Sequence, residues 1–287
     1  MINFCKQNCK NDTRFVDCVT ASGTYKGCKY GLNAVNTHCK VISHRGHSHK
    51  APENTLASVA ESIAVGADVC EFDVRTTADG HVVLMHDATV DRTTNGSGAI
   101  AEMTLADAQL LDAGAWKSPD YIGRPVPSLD EVFQLMAPAA QSALVELKSP
   151  SAAEGTIAAA RKYSMLHRTI ALSEEPAVLK RIQAIEPNIT RALLCTAFPQ
   201  NVKGILSRTD WLIAQARKAS AEIVDIDYRF TSPRMIAALH HAGLKVWVWT
   251  VNSPQIMNCL IDWNIDAIAS DKPDTLKAIL NTVRQNA

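Results

Sequence analysis

The chain is predicted to be an α/β protein: one (β/α)8 TIM barrel with a small hairpin and cap insertion, preceded by a cysteine-rich N-terminal extension. Three observations predict it. From Lys40 onward, short β-branched runs alternate with amphipathic stretches, the pattern of βαβ units around a parallel sheet. Residues 41–280 number 240, close to the roughly 250 such a barrel needs. Ionisable residues gather at the C-terminal ends of the β runs, where barrels of this kind carry their sites.

The β runs are, in order, KVISHRG, ADVCEFDV, HVVLMHD, SALVELK, TIALS, TRALLC, AEIVDID, KVWVWTVN and DAIAS. That is nine, where a barrel takes eight. The odd one is HVVLMHD, because only Ala78-Asp79-Gly80 separates it from the run ending in EFDVRTT. So short a connection makes a hairpin and cannot make a parallel crossover. HVVLMHD is therefore expected as an antiparallel arm on the second strand. Four stretches between runs carry clear helical periodicity: TLASVAESIAVG, PAVLKRIQAIE, SPRMIAALHHAG and SPQIMNCLIDWN. Ser232–Pro233 and Ser253–Pro254 each set a capping residue before a first-turn proline, and Gly243 is placed to stop a helix.

Composition narrows the function. Lys and Arg total 29 and so do Asp and Glu, so no basic surplus invites nucleic acid or an anionic membrane. No apolar run reaches the ~18 residues of a membrane span, so no stable membrane insertion is expected. The start, MINFCKQNCKNDTRF, lacks an apolar signal core, which predicts a soluble, cytoplasmic protein. Five of the eight cysteines (Cys5, Cys9, Cys18, Cys28 and Cys39) fall in the first 39 residues. A boundary is placed there: residues 1–40 as the extension, 41–287 as the barrel. The spacings lack the C-x2-C pairs of a strong zinc site. Zinc with His38 as fourth ligand, disulfides, or reduced thiols on an extension lying against the barrel or a neighbouring subunit all stay open, as does self-association.

The candidate site takes shape strand by strand. His44 and Arg45 follow the first strand. Glu71 and Asp73 lie two apart on the second, so both face the same way. His86 and Asp87 end the arm, Glu146 and Lys148 share a face of the next strand, and Asp227, Trp249 and Asp271 close the last three. Three converging carboxylates repel one another unless a cation sits among them. An all-oxygen donor set favours a hard ion, Mg²⁺ or Ca²⁺. Glu53 or Asn54 is expected to orient the first loop and cap the helix starting at Thr55, and Asp271 to cap a helix or anchor a loop. His47 and His49 are expected as mouth-loop residues that tune substrate choice. Trp249 either contacts a leaving group or packs in the core, and Trp247, Tyr228 and Phe230 are expected to pack.

These residues resemble a known family. HRG and APENT (44–46, 51–55), EFDV (71–74), LMHDATVDRTTNGSG (84–98), LDAGAW (111–116), IGRPVPSLDEV (122–132), VELK (145–148), AGLKVWVWTVN (242–252) and DAIASDKPD (266–274) are similar, in order and spacing, to the glycerophosphodiester phosphodiesterases with the compact bacterial cap. The resemblance implies a barrel that hydrolyses a small phosphodiester with a divalent metal. It makes Glu71, Asp73 and Glu146 the metal ligands, His44 and His86 the acid/base pair, and Arg45 and Lys148 the phosphate-binding cations. It departs at HSHK (47–50) and IASD (268–271), and the first 40 residues match nothing in the pattern. The expected reaction releases an alcohol and a phosphomonoester from a glycerol or sugar diester, through a cyclic phosphate or by direct attack of water. Lysophospholipase D-type hydrolysis, or a noncatalytic barrel that binds phosphodiesters or a partner, are the alternatives.

Overall fold

The structure, a computed structural model, describes residues 38–285. Nine strands run through it: β1 (Lys40–Ser43), β2 (Val69–Thr76), β3 (Val82–Leu84), β4 (Ser142–Leu147), β5 (Thr169–Ser173), β6 (Thr190–Cys195), β7 (Ile223–Asp227), β8 (Lys245–Trp249) and β9 (Ala267–Ser270). Eight of them form a continuous parallel sheet in the order β1-β9-β8-β7-β6-β5-β4-β2. Pairing of β1 with β2, Ser43 opposite Cys70, closes it into a barrel. β3 is antiparallel to β2, with Val74 opposite Leu84, so it is the expected arm. Its turn is tight: Gly80 takes φ +84°, and the Thr77 hydroxyl donates to Asp79 at 2.6 Å.

Helices cover the outside. They are α1 (Leu56–Val65), α2 (Leu105–Gln109), α3 (Leu129–Met136), α4 (Ala153–Lys162), α5 (Pro176–Ile185), α6 (Ile205–Ala219), α7 (Pro233–His241), α8 (Pro254–Asp262) and α9 (Pro273–Gln285). α1 begins with a capping box, Thr55 and Ser58, and ends at Gly66 in the left-handed conformation. Thr55 itself is the cap, not Glu53 or Asn54, which the site uses instead. α3 has its own capping box, Ser128 with Glu131. Ser232 caps α7 as expected, whereas the Ser253 hydroxyl turns to Gln255 at 2.8 Å and leaves α8 with only its first-turn proline. No helix among the described residues is long and apolar enough to cross a membrane.

Two apolar layers follow from the period of two along each strand. Outward residues such as Cys70, Phe72, Val74, Val145 and Val246 pack under the helices. Inward residues, including Ile42, Val69, Leu144, Leu172, Leu194, Ile223 and Trp247, fill the barrel. Between β3 and α3 the chain builds a small cap with its own core of Val83, Met85, Val90, Ile100, Ala108, Ala113 and Val126. Four cysteines of the extension, Cys5, Cys9, Cys18 and Cys28, lie outside the described residues, and with them the expected zinc or disulfide chemistry. Cys39 is described: it is a buried free thiol whose pKa burial pushes up to about 12.

Candidate active site

The inward face of five of the strands changes character along its length. Ile42 is followed two residues on by His44, Val69 by Glu71 and Asp73, Leu144 by Glu146 and Lys148, Ile223 by Asp225 and Asp227, and Ala269 by Asp271. The apolar plug thus gives way to charged groups at the carboxyl end of the barrel, around a cavity of about 350 Å³. His44, Arg45, Glu71, His86, Glu146, Lys148 and Trp249 all line it.

Glu71, Asp73 and Glu146 converge, with one oxygen of each within 4.8 Å of the others. Burial, and then the charges of Asp73 and Glu146, push the Glu71 carboxyl well above its ordinary range. Burial and Asp73 likewise raise Glu146 to about 7. Burial also opposes ionisation of Asp73, but the Lys148 and Arg45 cations outweigh it and hold that carboxyl low. Lys148 Nζ lies 2.9 Å from Asp73 Oδ1 and also bonds Glu146. Arg45 Nε lies 3.3 Å from Asp73 Oδ2, and its backbone N–H donates to Glu71 Oε2 at 2.7 Å. These cations serve Asp73 best and leave Glu71 with the least compensation. The three carboxylates together fit a hard divalent cation, which would let all of them ionise.

Each histidine has a carboxylate behind it. His44 Nδ1 is 2.7 Å from Asp271 Oδ1, and Asp271 also accepts from Ser48 at 2.9 Å and Asn252 at 2.6 Å. His86 Nδ1 is 2.6 Å from Asp87 Oδ1, while Arg92 Nε donates to the other oxygen at 2.7 Å. Engaging Nδ1 leaves Nε2 of each ring as the working atom. Burial lowers the pKa of His86, against the pull of Asp73 and Asp87.

A second ring of residues holds these groups. Glu53 accepts from Arg45 Nη1 at 2.7 Å and from Arg92 Nη2 at 2.8 Å, tying the first loop to the cap. Asn54 donates to Asp73 Oδ2 at 2.8 Å and accepts from the Asp73 backbone N–H at 3.1 Å. Arg45 and Asn54 both take φ +55°, and Gly46 follows Arg45 at +76°. A Cβ on Gly46 would lie 2.6 Å from the Ser58 backbone carbon, so this close approach of loop to α1 requires glycine.

Other expectations are corrected. His47 does not line the cavity; it is 4% exposed, and its Nε2 lies 3.6 Å from Asp274. His49 is exposed and also lies off the cavity, so of HSHK it is Ser48 that supports the site. Asp271 anchors the His44 loop, one of the two roles expected of it. Asp227 is buried but binds Arg229 and stays outside the cavity lining. Trp247 fills the barrel and Phe230 packs edge-on against Phe198, as expected. Asp225 was not anticipated; it lines the cavity and is 2% exposed. The one signal for it was its spacing, two before Asp227 on the same face.

Residues 44–275 match the model of the glycerophosphoryl diester phosphodiesterase family. A glycerophosphodiester phosphodiesterase of Caldanaerobacter subterraneus is 33% identical over 250 residues, covering 85% of this chain and 98% of that protein. One from Bacillus subtilis is 31% identical, covering 81% and 83%. Among solved structures, a phosphodiesterase of Oleispira antarctica in complex with the product sn-glycerol-3-phosphate superimposes with a TM-score of 0.74 at 29% identity, covering 84% and 96%. A putative glycerophosphoryl diester phosphodiesterase of Silicibacter pomeroyi gives 0.77 at 27% identity, covering 86% and 94%.

Proposed function

The chain belongs to the glycerophosphoryl diester phosphodiesterase family and is a phosphoric diester hydrolase, and from that premise we propose how its residues carry out the reaction. Glu71, Asp73 and Glu146 hold a divalent cation, Mg²⁺ or Ca²⁺. His44 and His86 act as the acid/base pair, Arg45 and Lys148 bind the phosphate, and Trp249 contacts the alcohol arm. The observation that carries this reading is the pairing of each histidine with a carboxylate at Nδ1, both rings lining one cavity together with Glu71 and Glu146.

The substrate is a small anion entering a site rich in carboxylates. Arg45 offers a fork of N–H donors and Lys148 a point charge, so together they reverse the local sign for the phosphate oxygens. The bound cation would add charge to stabilise the nonbridging oxygens as negative charge builds on them. In a glycerol diester the hydroxyl beside the phosphate-bearing carbon is already held near phosphorus, an advantage worth several kcal/mol. One histidine Nε2 takes its proton as the new O–P bond forms. The other gives a proton to the departing alkoxide oxygen as its P–O bond breaks. Water then opens the cyclic phosphate, with the two histidines exchanging roles, and a phosphomonoester leaves.

Release of phosphomonoester from glycerophosphocholine, with and without EDTA and on readdition of Mg²⁺ or Ca²⁺, tests the reading. Turnover that vanishes with chelator and returns with one of the ions is expected. Full turnover in EDTA by the wild type and by Glu71→Ala would overturn the metal assignment. Cyclic phosphate visible by phosphorus NMR early in the reaction is expected on the proposed route. Its absence, with equal kcat on diesters lacking the vicinal hydroxyl, would point to direct attack by water.

A further inference from the structure

The hydrogen bonds behind His44 do not stop at Asp271. The Asp271 oxygen that meets His44 Nδ1 at 2.7 Å also accepts from the Ser48 hydroxyl at 2.9 Å. Ser48 is half-buried in a turn tied to the barrel on two sides. The His47 N–H donates to the Ser58 carbonyl on α1 at 2.9 Å, and the His49 N–H to the Asp271 carbonyl at 3.0 Å. The Ser48 carbonyl goes a third way, to the cap, where Lys117 Nζ donates to it at 2.8 Å. Four residues on, the Tyr121 hydroxyl donates to the Lys50 carbonyl at 3.2 Å. The cap thus grips the turn at two places. Lys117 is presented by a braced loop. One Asp112 oxygen accepts from the N–H groups of Gly114 and Ala115 and the other from Gly123, which closes residues 112–123 on themselves. A Cβ on Gly114 would collide with the Tyr121 carbonyl, so the loop needs glycine there. The Lys117 side chain is half-buried, and no carboxylate pairs with it among the described residues; its hydrogen bond goes to the Ser48 carbonyl.

We infer that Lys117 is a positioning residue: from the cap it fixes the Ser48 turn, and through Ser48 and Asp271 it holds His44 in the orientation and Nδ1–H tautomer that proton transfer at Nε2 requires. A charged donor on a carbonyl makes a stronger bond than a neutral one. With it in place the Ser48 hydroxyl stays aimed at Asp271, and that carboxylate stays aimed at the ring. Without it the turn keeps its ties to α1 and Asp271 but is free on the side of the cap. The ring then loses a fixed partner at Nδ1, and small errors of placement at a reacting atom are costly in rate. Arg45 stands apart from this chain of contacts, since Glu53 and Asp73 hold its guanidinium. Loss of Lys117 therefore acts on kcat and spares phosphate binding. The inference rests on the part given to His44 in the reaction proposed above.

Lys117→Met keeps the apolar stem and removes the donor. It is expected to lower kcat on glycerophosphocholine roughly tenfold with KM within about threefold of wild type. Lys117→Arg, which keeps a cationic donor, should recover most of the rate, and Ser48→Ala should lose about as much as Lys117→Met. The double variant decides the route. If Lys117 acts through Ser48, adding Lys117→Met to Ser48→Ala lowers kcat no further, whereas independent sites would multiply their losses. Multiplied losses, or a wild-type kcat in Lys117→Met, would overturn the assignment. Nitrogen NMR of the histidine rings, recorded above neutral pH, tests it without turnover, with His44 identified by the signals lost in His44→Ala. The wild-type ring is expected to carry its proton on Nδ1, and the ring in Lys117→Met and in Ser48→Ala to divide it between both nitrogens. An unchanged tautomer in Lys117→Met would overturn the role of Lys117 whatever the activity. A changed tautomer in a protein that turns over no diester would uphold that role while the enzymatic reading fell.

Discussion

At the scale of single residues, the site is a set of charges that cannot stand alone. His44 and His86 each owe their orientation to a carboxylate, and the consequence is testable. His44→Ala and His86→Ala are expected to lower kcat by roughly 10²–10⁴-fold while circular dichroism stays native; a variant with near-normal kcat would lose its assigned role. Asp271→Asn should imitate His44→Ala in part, because an amide at that place no longer favours the proton on Nδ1. It should also change acid stability. Burial opposes ionisation of Asp271, yet His44, Asn252 and Ser48 hold its carboxyl below the usual range. A depressed folded-state pKa contributes stability that is present above the unfolded value, about 3.9, and is lost as pH falls through the folded value. Melting temperatures measured from pH 7 downward should therefore converge for wild type and Asp271→Asn at the acid end. Curves that stay parallel throughout would argue against an ionised Asp271.

At the scale of elements, legibility in the sequence followed locality. The nine strands were readable because each is a short β-branched run bounded by turn residues, and the arm because three residues cannot cross a barrel. Glu71, Asp73, Glu146 and Lys148 were readable because a period of two places them inward. The partners were not: His44 meets Asp271 across 227 residues, a contact that barrel closure makes and no local pattern announces. Asp225 was hidden because two acids set two apart in IVDID read as the ordinary alternation of a strand. Some helices were also passed over. α3 is one, and its Phe133 is fully buried, 6.3 Å centroid to centroid from Phe72 on β2. Phe72 lies between Glu71 and Asp73, so α3 presses on the back of the strand that carries the carboxylates. Phe133→Ala is expected to cost about 3–5 kcal/mol in urea unfolding. It should also weaken metal activation, since β2 loses its backing; an unchanged midpoint would remove α3 from that role.

At the scale of the whole molecule, function sits at one end of the barrel and the chain enters at the other. The described chain begins at the N-terminal end of β1, whereas His44 lies just past the opposite end of that strand. The junction is fixed to the barrel: Lys40 donates its backbone N–H to Asp266 at 2.9 Å, and Cys39 is fully buried against the core under α9. Among the described residues, the strands, the site residues and both apolar layers lie from Cys39 onward. We therefore propose that the cysteine-rich extension is separable from catalysis. A protein starting at His38 keeps the Cys39 contact and the β1–β9 pairing from Lys40 opposite Ala267 to Ser43 opposite Ser270. It is expected to fold with a melting temperature within a few degrees of the full chain and to hydrolyse glycerophosphodiesters with unchanged kcat/KM. A start at Ser43 should fail, because it removes the strand that joins β9 to β2 and opens the barrel. The pair of truncations separates two roles. If the protein starting at His38 were insoluble or inactive, the extension would have to seal the lower end of the barrel or build an interface on which the site depends. If it were active but changed in sedimentation, the extension would serve assembly alone.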